Sequence, residues 1–398
     1  MPEPDGGWTS LWALDSRIHF LNHGSFGACP RHVLDHQAEL RQQLERQPVE
    51  FLGRQLPQLL SEARQSVSQF VGCAADDLVF VRNATAGVNA VLRSLPLERG
   101  DELVVTDHAY AACRNALDFA AERAGAQVRV AQVPFPIESG DQVVAAVTAC
   151  VSSKTRLVMV DHITSSTALI FPLERIVRAL AGVDVLVDGA HAPGMLEVNL
   201  QRSAPTYYAG NCHKWLCAPK GSGFLYVQRD RQVQIRPTSI SHGASLHSVG
   251  SRFQAEFDWT GTDDPTAILS VPEAIRYLSS LLPGGWPELM ARNRGLALDA
   301  RRRICAGLSI PLPAPDELIG SMASVPIADS SPRPRDSAFE VDPLQRQLLE
   351  RFRIEVPIDS WSMPSMRLLR LSAQLYNRAE QYELLAEALL KLLGLAPY

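Results

Sequence analysis

In this 398-residue chain, the stretch NCHKWLCAPKGSGF (residues 211–224) gathers two lysines, a histidine, two cysteines and a glycine pair. Such parts could serve three chemistries. Cys212, His213 and Cys217, with His191 as a fourth donor, could ligate a metal. Their spacing lacks the close Cys/His pairs of structural zinc sites, and no metal site is assigned. PKGSGF could cradle a phosphate, yet it departs from G-x-x-x-x-G-K-[ST] and leads into the strand-like FLYV rather than a helix. Lys214 could instead carry a covalent cofactor, and that reading makes demands elsewhere in the chain.

A lysine that forms a Schiff base with pyridoxal phosphate (PLP) needs partners. A carboxylate must keep the pyridine nitrogen protonated, and an aromatic or imidazole ring must cover the cofactor. A helix N-terminus must take the phosphate, and an arginine the substrate carboxylate. Asp188 closes the apolar run VDVLVD, where a lone carboxylate would be costly without a cation, and His191 follows it. Asn83, Ala84 and Thr85 open the helical pattern NATAGVNAVL, whose free N–H groups and dipole favour a dianion. Tyr110 follows ELVVT and could stack on the ring. Arg370, in LLRLSAQLYN, could grip a carboxylate with both arms. Singly, each has a plainer explanation: a turn at DG, an ordinary N-cap, a packed tyrosine, a surface ion pair. Several of them fall just beyond strand candidates of one α/β region, which favours the joint reading.

The elements that must position them lie between about residues 65 and 230. DLVFV, ELVVT, VRVAQV, RLVMV, VDVLVD and FLYV alternate with Ala- and Leu-rich helical stretches. Such alternation predicts a mostly parallel sheet covered by helices, with ligands beyond the carboxyl ends of its strands. Near Pro265 the texture changes. Helix-like PTAILSVPEAIRYLSSLL and ELMARNRGLALDARRRICAGL lead through a Pro/Ser-rich connection to MRLLRLSAQLYN and an amphipathic C-terminal helix. The expected division is an N-terminal segment (1–20) packing on the small domain, a large domain (21–265) and a smaller α+β domain (266–398). Composition is that of a globular protein, 46% hydrophobic and 20% charged. A net charge of -5 without dense basic runs argues against a nucleic-acid partner, with Arg301–Arg303 read as a solvated helix face. No secretion signal or membrane span is evident, and seven scattered cysteines suit a reducing cytoplasm.

Taken together, FLNHGSFGACP, NATAGVN, DHAY, DHITSSTALIFP, DGAHAPG, GNCHKWLCAPKGSGFL, FDWTGTDD and LRLSAQLYN resemble the class V aminotransferase family of PLP enzymes, fold type I. Within it, the chain is similar to the isopenicillin N epimerase-like group. The resemblance implies a mostly parallel seven-stranded sheet between helices, plus a smaller α+β C-terminal domain. It implies Lys214 as the attachment lysine, Lys220 as a second, non-catalytic one, and Asp188 at the pyridine nitrogen. His191 would lie near the ring oxygen, with Thr164 or Ser165 approaching the same atom, and Tyr110 would stack. Ala84 and Thr85 would bind phosphate, with Asn211 and His213 contributing. Gly261 and Thr262 would reach the phosphate of a neighbouring subunit in a homodimer with shared sites. Arg370 would take the substrate carboxylate, and the loop Asn22, His23, Gly24 and Ser25 would line the entrance, the first three touching substrate. Cys212 and Cys217 then become packing residues.

For the reaction, Lys214 is the natural base at Cα of an amino-acid substrate, and Tyr110 and His23 are candidates for an acid on the opposite face. Return of the proton there gives epimerisation or racemisation, the reading adopted. A C–S (cysteine sulfoxide) β-lyase and an aminotransferase are the alternatives. A cysteine desulfurase is disfavoured because no cysteine follows Cys305. A non-enzymatic homologue is disfavoured by the joint presence of Lys214, Asp188, His191 and Arg370.

Overall fold

The structure, a computed structural model, describes residues 7–245, 251–327, 341–362 and 365–395. The Pro/Ser-rich connection lies almost wholly outside the described residues. Seven strands form the central sheet: β1 (Leu78–Val81), β2 (Glu102–Thr106), β3 (Gln127–Ala131), β4 (Thr155–Asp161), β5 (Asp184–Gly189), β6 (Tyr207–Asn211) and β7 (Gly223–Val227). Their spatial order is β1-β7-β6-β5-β4-β2-β3, and β7 alone runs antiparallel to its neighbours. Both faces are covered, as an all-but-parallel sheet requires, so alternate residues of a strand enter opposite core layers. Leu157 and Met159 of β4 and Leu186 of β5 pack beneath the helices α1 (Ala84–Ser94) and α2 (Ala111–Ala124). Val158, Val160, Val185 and Val187 enter the other layer.

Each full burial of such an aliphatic side chain contributes roughly 1.5–3 kcal/mol. Strand β3, at the edge, has the half-exposed alternation expected there. The chain moves outward from β4 through β5 and β6 to β7 but passes from β2 to β3 on the other side. The strand order thus reverses between β2 and β4, which opens a crevice at the carboxyl ends of those strands.

The C-terminal region has its own antiparallel sheet of β8 (Met322–Ile327), β9 (Ile358–Ser362) and β10 (Ser365–Ser372), with β10 central. Helices α3 (Gly285–Gly307) and α4 (Ala379–Leu393) pack against each other and α3 against this sheet. The N-terminal segment joins this region, because His19–Phe20 pair in parallel with Ile354–Glu355 and Thr9 Oγ1 donates to the Tyr376 carbonyl. The arginine triplet on α3 corrects one expectation. Arg302 and Arg303 are partly exposed, but Arg301 is fully buried, donating to the Ala314 carbonyl at 2.8 Å and pairing with Asp316. Its register on α3 points it inward, where a carbonyl and a carboxylate replace its water.

Candidate active site

The crevice holds a cavity of about 220 Å³ lined from five strand ends. Asn83, Ala84 and Thr85 come from the end of β1, and Tyr110 from the end of β2. Asp161 and Ser165 come from β4, Asp188 and His191 from β5, and Asn211, His213 and Lys214 from β6. Lys214 is delivered by a turn that two glycines make room for. Gly27 (φ +68°) would place a Cβ 2.1 Å from the His213 carbonyl oxygen, and Gly194 (φ +89°) would place one 2.5 Å from the Trp215 carbonyl. Both conformations favour glycine, and both contacts exclude a side chain. Lys220, the other lysine of the motif, donates to the Gly27 carbonyl at 3.1 Å and so pins the loop rather than entering the cavity.

Lys214 Nζ lies 3.0 Å from His191 Nε2. Burial, then the positive charge of Arg370, draws its pKa down to about 8. About a tenth of the amine is therefore unprotonated at pH 7, far more than for an ordinary lysine, and that free fraction is the nucleophile or base. Burial also holds the His191 imidazole well below its ordinary pKa, with Lys214 adding to the effect. Asp188 accepts from the Cys113 thiol at 3.0 Å and from Ala190 N–H at 3.0 Å, both neutral donors. A buried carboxylate held only by neutral donors would be stabilised by a cation, and a protonated pyridine nitrogen would supply one. At the start of α1, the Asn83 side chain accepts from Ala86 N–H, and Asn211 Oδ1 accepts from Ala84 N–H at 2.8 Å. Asn211 thus holds the helix start in place. The donor set, buried amine, buried carboxylate and helix N-terminus fit PLP.

Other predicted residues fall differently. Ser165 lines the cavity, whereas Thr164 is fully buried, with its hydroxyl bonded to Thr167 and to Leu169 N–H. Arg370 stands at the wall, its Nη1 bonded to the Ser165 carbonyl and hydroxyl and its Nη2 to Ser25 Oγ at 2.8 Å. Asn22, His23 and Gly24 do not line the cavity. Asn22 bonds Glu355 and Ser25, and Gly24 backs onto Met322 and Ser372. Both ring nitrogens of His23 are engaged, by the Tyr376 hydroxyl and the Lys214 carbonyl, and burial takes its pKa down to about 3. Of that loop Ser25 lines the cavity, followed by Phe26. Gly261 lines a separate cavity, beside Arg41, Arg82 and Lys220, and Thr262 is exposed. Ion pairs of Arg82 with Asp263 and Arg41 with Asp264 fasten that segment to the outer surface.

One lining carboxylate had no role in the sequence reading. Asp161 ends β4 directly beside Asp188, in register across the parallel pair. Burial, then the neighbouring Asp188 charge, pushes its carboxyl well above the usual range. Its signal was present: it closes an apolar run just as Asp188 does. Cys113, which donates to Asp188, carried no such signal, because its position follows only from how α2 packs.

Comparison with known proteins matches an Aminotransferase class-V family model over residues 26–329. The chain belongs to that family. It is a PLP-dependent enzyme. An isopenicillin N epimerase of Amycolatopsis lactamdurans is 36% identical, and one of Streptomyces clavuligerus 34% identical, each alignment covering 96% of both chains. A probable chloroplastic L-cysteine desulfhydrase of Arabidopsis thaliana is 28% identical over 93% of this chain and 82% of its own. Among solved structures, an apo cysteine desulfurase from Thermococcus onnurineus NA1 superposes with a TM-score of 0.79 at 18% identity, covering 99% of each chain. The cystine C-S lyase C-DES, in complex with its product cysteine persulfide, gives 0.76 at 22%, covering 94% of this chain and 97% of its own. These establish fold type I: a mostly parallel sheet between helices with a separate antiparallel sheet toward the C-terminus. No described helix is long and apolar enough to cross a membrane.

Proposed function

We propose that the enzyme removes and returns the proton at Cα of an amino-acid substrate, as an epimerase or racemase does. The observation that carries this reading is the placing of the Lys214 amine and Tyr110 in one cavity, with the Arg370 guanidinium held at its wall. When bound, PLP supplies the electron sink for the pair left at Cα. Lys214 is the base that the cavity offers to one face of the Cα–H bond. Asp188 balances the ring nitrogen, and Arg370, hung between Ser165 and Ser25, orients the substrate carboxylate. Of the two acids considered for the opposite face, only Tyr110 lines the cavity. It is 44% exposed, so a proton given up there is replaced from solvent. The relatives named isopenicillin N epimerase support this reading, and those named L-cysteine desulfhydrase support a C–S lyase as the second.

We infer further that the chain works as a cytoplasmic homodimer. All seven cysteines are free, and the Gly261–Thr262 segment lies outside its own chain's Lys214 cavity. Incubating the holoenzyme with amino-acid panels in deuterated water tests the reaction. Deuterium at Cα with inverted configuration is expected. Pyruvate with a released sulfur species, or a keto acid alone, would replace the epimerase reading with lyase or aminotransferase.

A further inference from the structure

The Lys214 turn holds a hydrogen-bond relay set behind the groups that face the substrate. Trp215 is fully buried, its ring 4.7 Å from that of His23. Its Nε1 lies 3.3 Å from His191 Nδ1, and the other nitrogen of the same imidazole, Nε2, lies 3.0 Å from Lys214 Nζ. An indole nitrogen donates and never accepts, so His191 Nδ1 is the acceptor. A neutral imidazole with Nδ1 bare carries its proton on Nε2. That proton is donated to Lys214 Nζ, which must offer a lone pair. An ammonium has none. Protonating Lys214 would demand the opposite tautomer and set an Nδ1–H against the Trp215 N–H.

We propose that Trp215 is a positioning residue that locks His191 as the Nε2–H tautomer and thereby holds the Lys214 amine as a free base, ready for the cofactor aldehyde. The inference rests on Lys214 being the attachment amine. The surroundings act with and against the lock. Arg370 also disfavours charge on Lys214, while Asp188, Cys113 and Asp161 favour it. Burial, then the charges of Lys214 and Arg370, with His213 and His23 nearby, oppose a second proton on the His191 ring. None of these groups selects between the two neutral tautomers as a fixed donor at Nδ1 does.

The test is a two-bond proton–nitrogen correlation spectrum of the full-length apoprotein, in which Lys214 is free, labelled with ring-15N histidine. The His191 signal is assigned by its loss in His191→Gln. A bare Nδ1 and a protonated Nε2 are expected, and an Nδ1–H tautomer would overturn the proposal. Trp215→Phe keeps an aromatic ring and removes the donor. It should lose the tautomer preference and raise the pH midpoint of PLP capture by the apoprotein by about one unit. An unchanged tautomer and midpoint in that variant would also overturn it. If the variant does not fold, the wild-type spectrum decides alone. Loss of Cα exchange would strike the proposed reaction and absent PLP capture the Lys214 assignment, and neither moves the wild-type tautomer signal.

Discussion

Two carboxylates side by side, Asp161 and Asp188, share one buried floor with one expected cation, so one of them should carry a proton. Asp161 is the neutral member, with burial and the Asp188 charge as the causes. Asparagine mimics a protonated carboxyl in shape and charge. Asp161→Asn should therefore leave PLP affinity within about threefold, whereas Asp188→Asn should weaken it about tenfold or more, read by equilibrium dialysis against PLP. The sign for stability follows from the same shift. A carboxyl whose folded pKa lies above its unfolded 3.8 binds more protons when folded, so its contribution to stability falls as pH rises from that value toward the folded one. Asp161→Asn apoprotein should melt higher than wild type at neutral pH, with a gap that closes toward pH 4, measured by thermal melts across that range. Lys214 titrates in the opposite sense: above about 8 its amine is free. The rate of PLP capture by apoprotein should rise with pH and level off above that value, as stopped-flow absorbance would show.

At the scale of elements, the turn carrying Lys214 depends on glycine at 27 and 194 more than on its own sequence. Gly27→Ala adds a left-handed alanine and a Cβ 2.1 Å from the His213 carbonyl. It should lower unfolding free energy by about 2 kcal/mol or more. Gly182→Ala has a similar φ, +93°, in open space, and should cost only about 1 kcal/mol. Denaturant melts of the two variants make the comparison, and equal losses would show that crowding at the lysine turn is unimportant.

Six of the seven sheet strands were legible as β-branched apolar runs bounded by turns. The seventh, Tyr207–Asn211, reads YYAGN, and its glycine exists because a side chain there would strike the Phe224 ring. Only the motif beyond it marked its place. The strand-end groups Asp188, His191 and Lys214 were legible because polar residues after apolar runs stand out. The choice between Thr164 and Ser165, and the burial of Asn22, His23 and Gly24 away from the cavity, depend on loop paths that periodicity does not encode. Buried Arg301 misled for a related reason: three adjacent arginines on a helix cannot share one face, and the inward one found Ala314 and Asp316 across the fold.

For the whole molecule, the C-terminal region braces the cavity from behind its lining. Ser25 and Ser165 both belong to the large region (21–265), and Arg370, which ties the two, comes from β10. Binding of an amino-acid carboxylate at Arg370 would have to loosen or share those bonds, so substrate recognition and the seating of β10 on the large sheet are coupled. Arg370→Lys keeps one charge but loses the fork that reaches both serines. It should raise KM about tenfold or more with a smaller change in kcat, and an unchanged KM would remove Arg370 from carboxylate binding. Sedimentation should give twice the chain mass, and a monomer with full activity would contradict the shared-site dimer.

The most direct test of the whole account is where PLP attaches. Holoenzyme reduced with borohydride and digested should yield one pyridoxyl-modified peptide, with the added mass on Lys214. Modification at Lys220 or at another lysine, or none in a protein that still holds PLP, would contradict it.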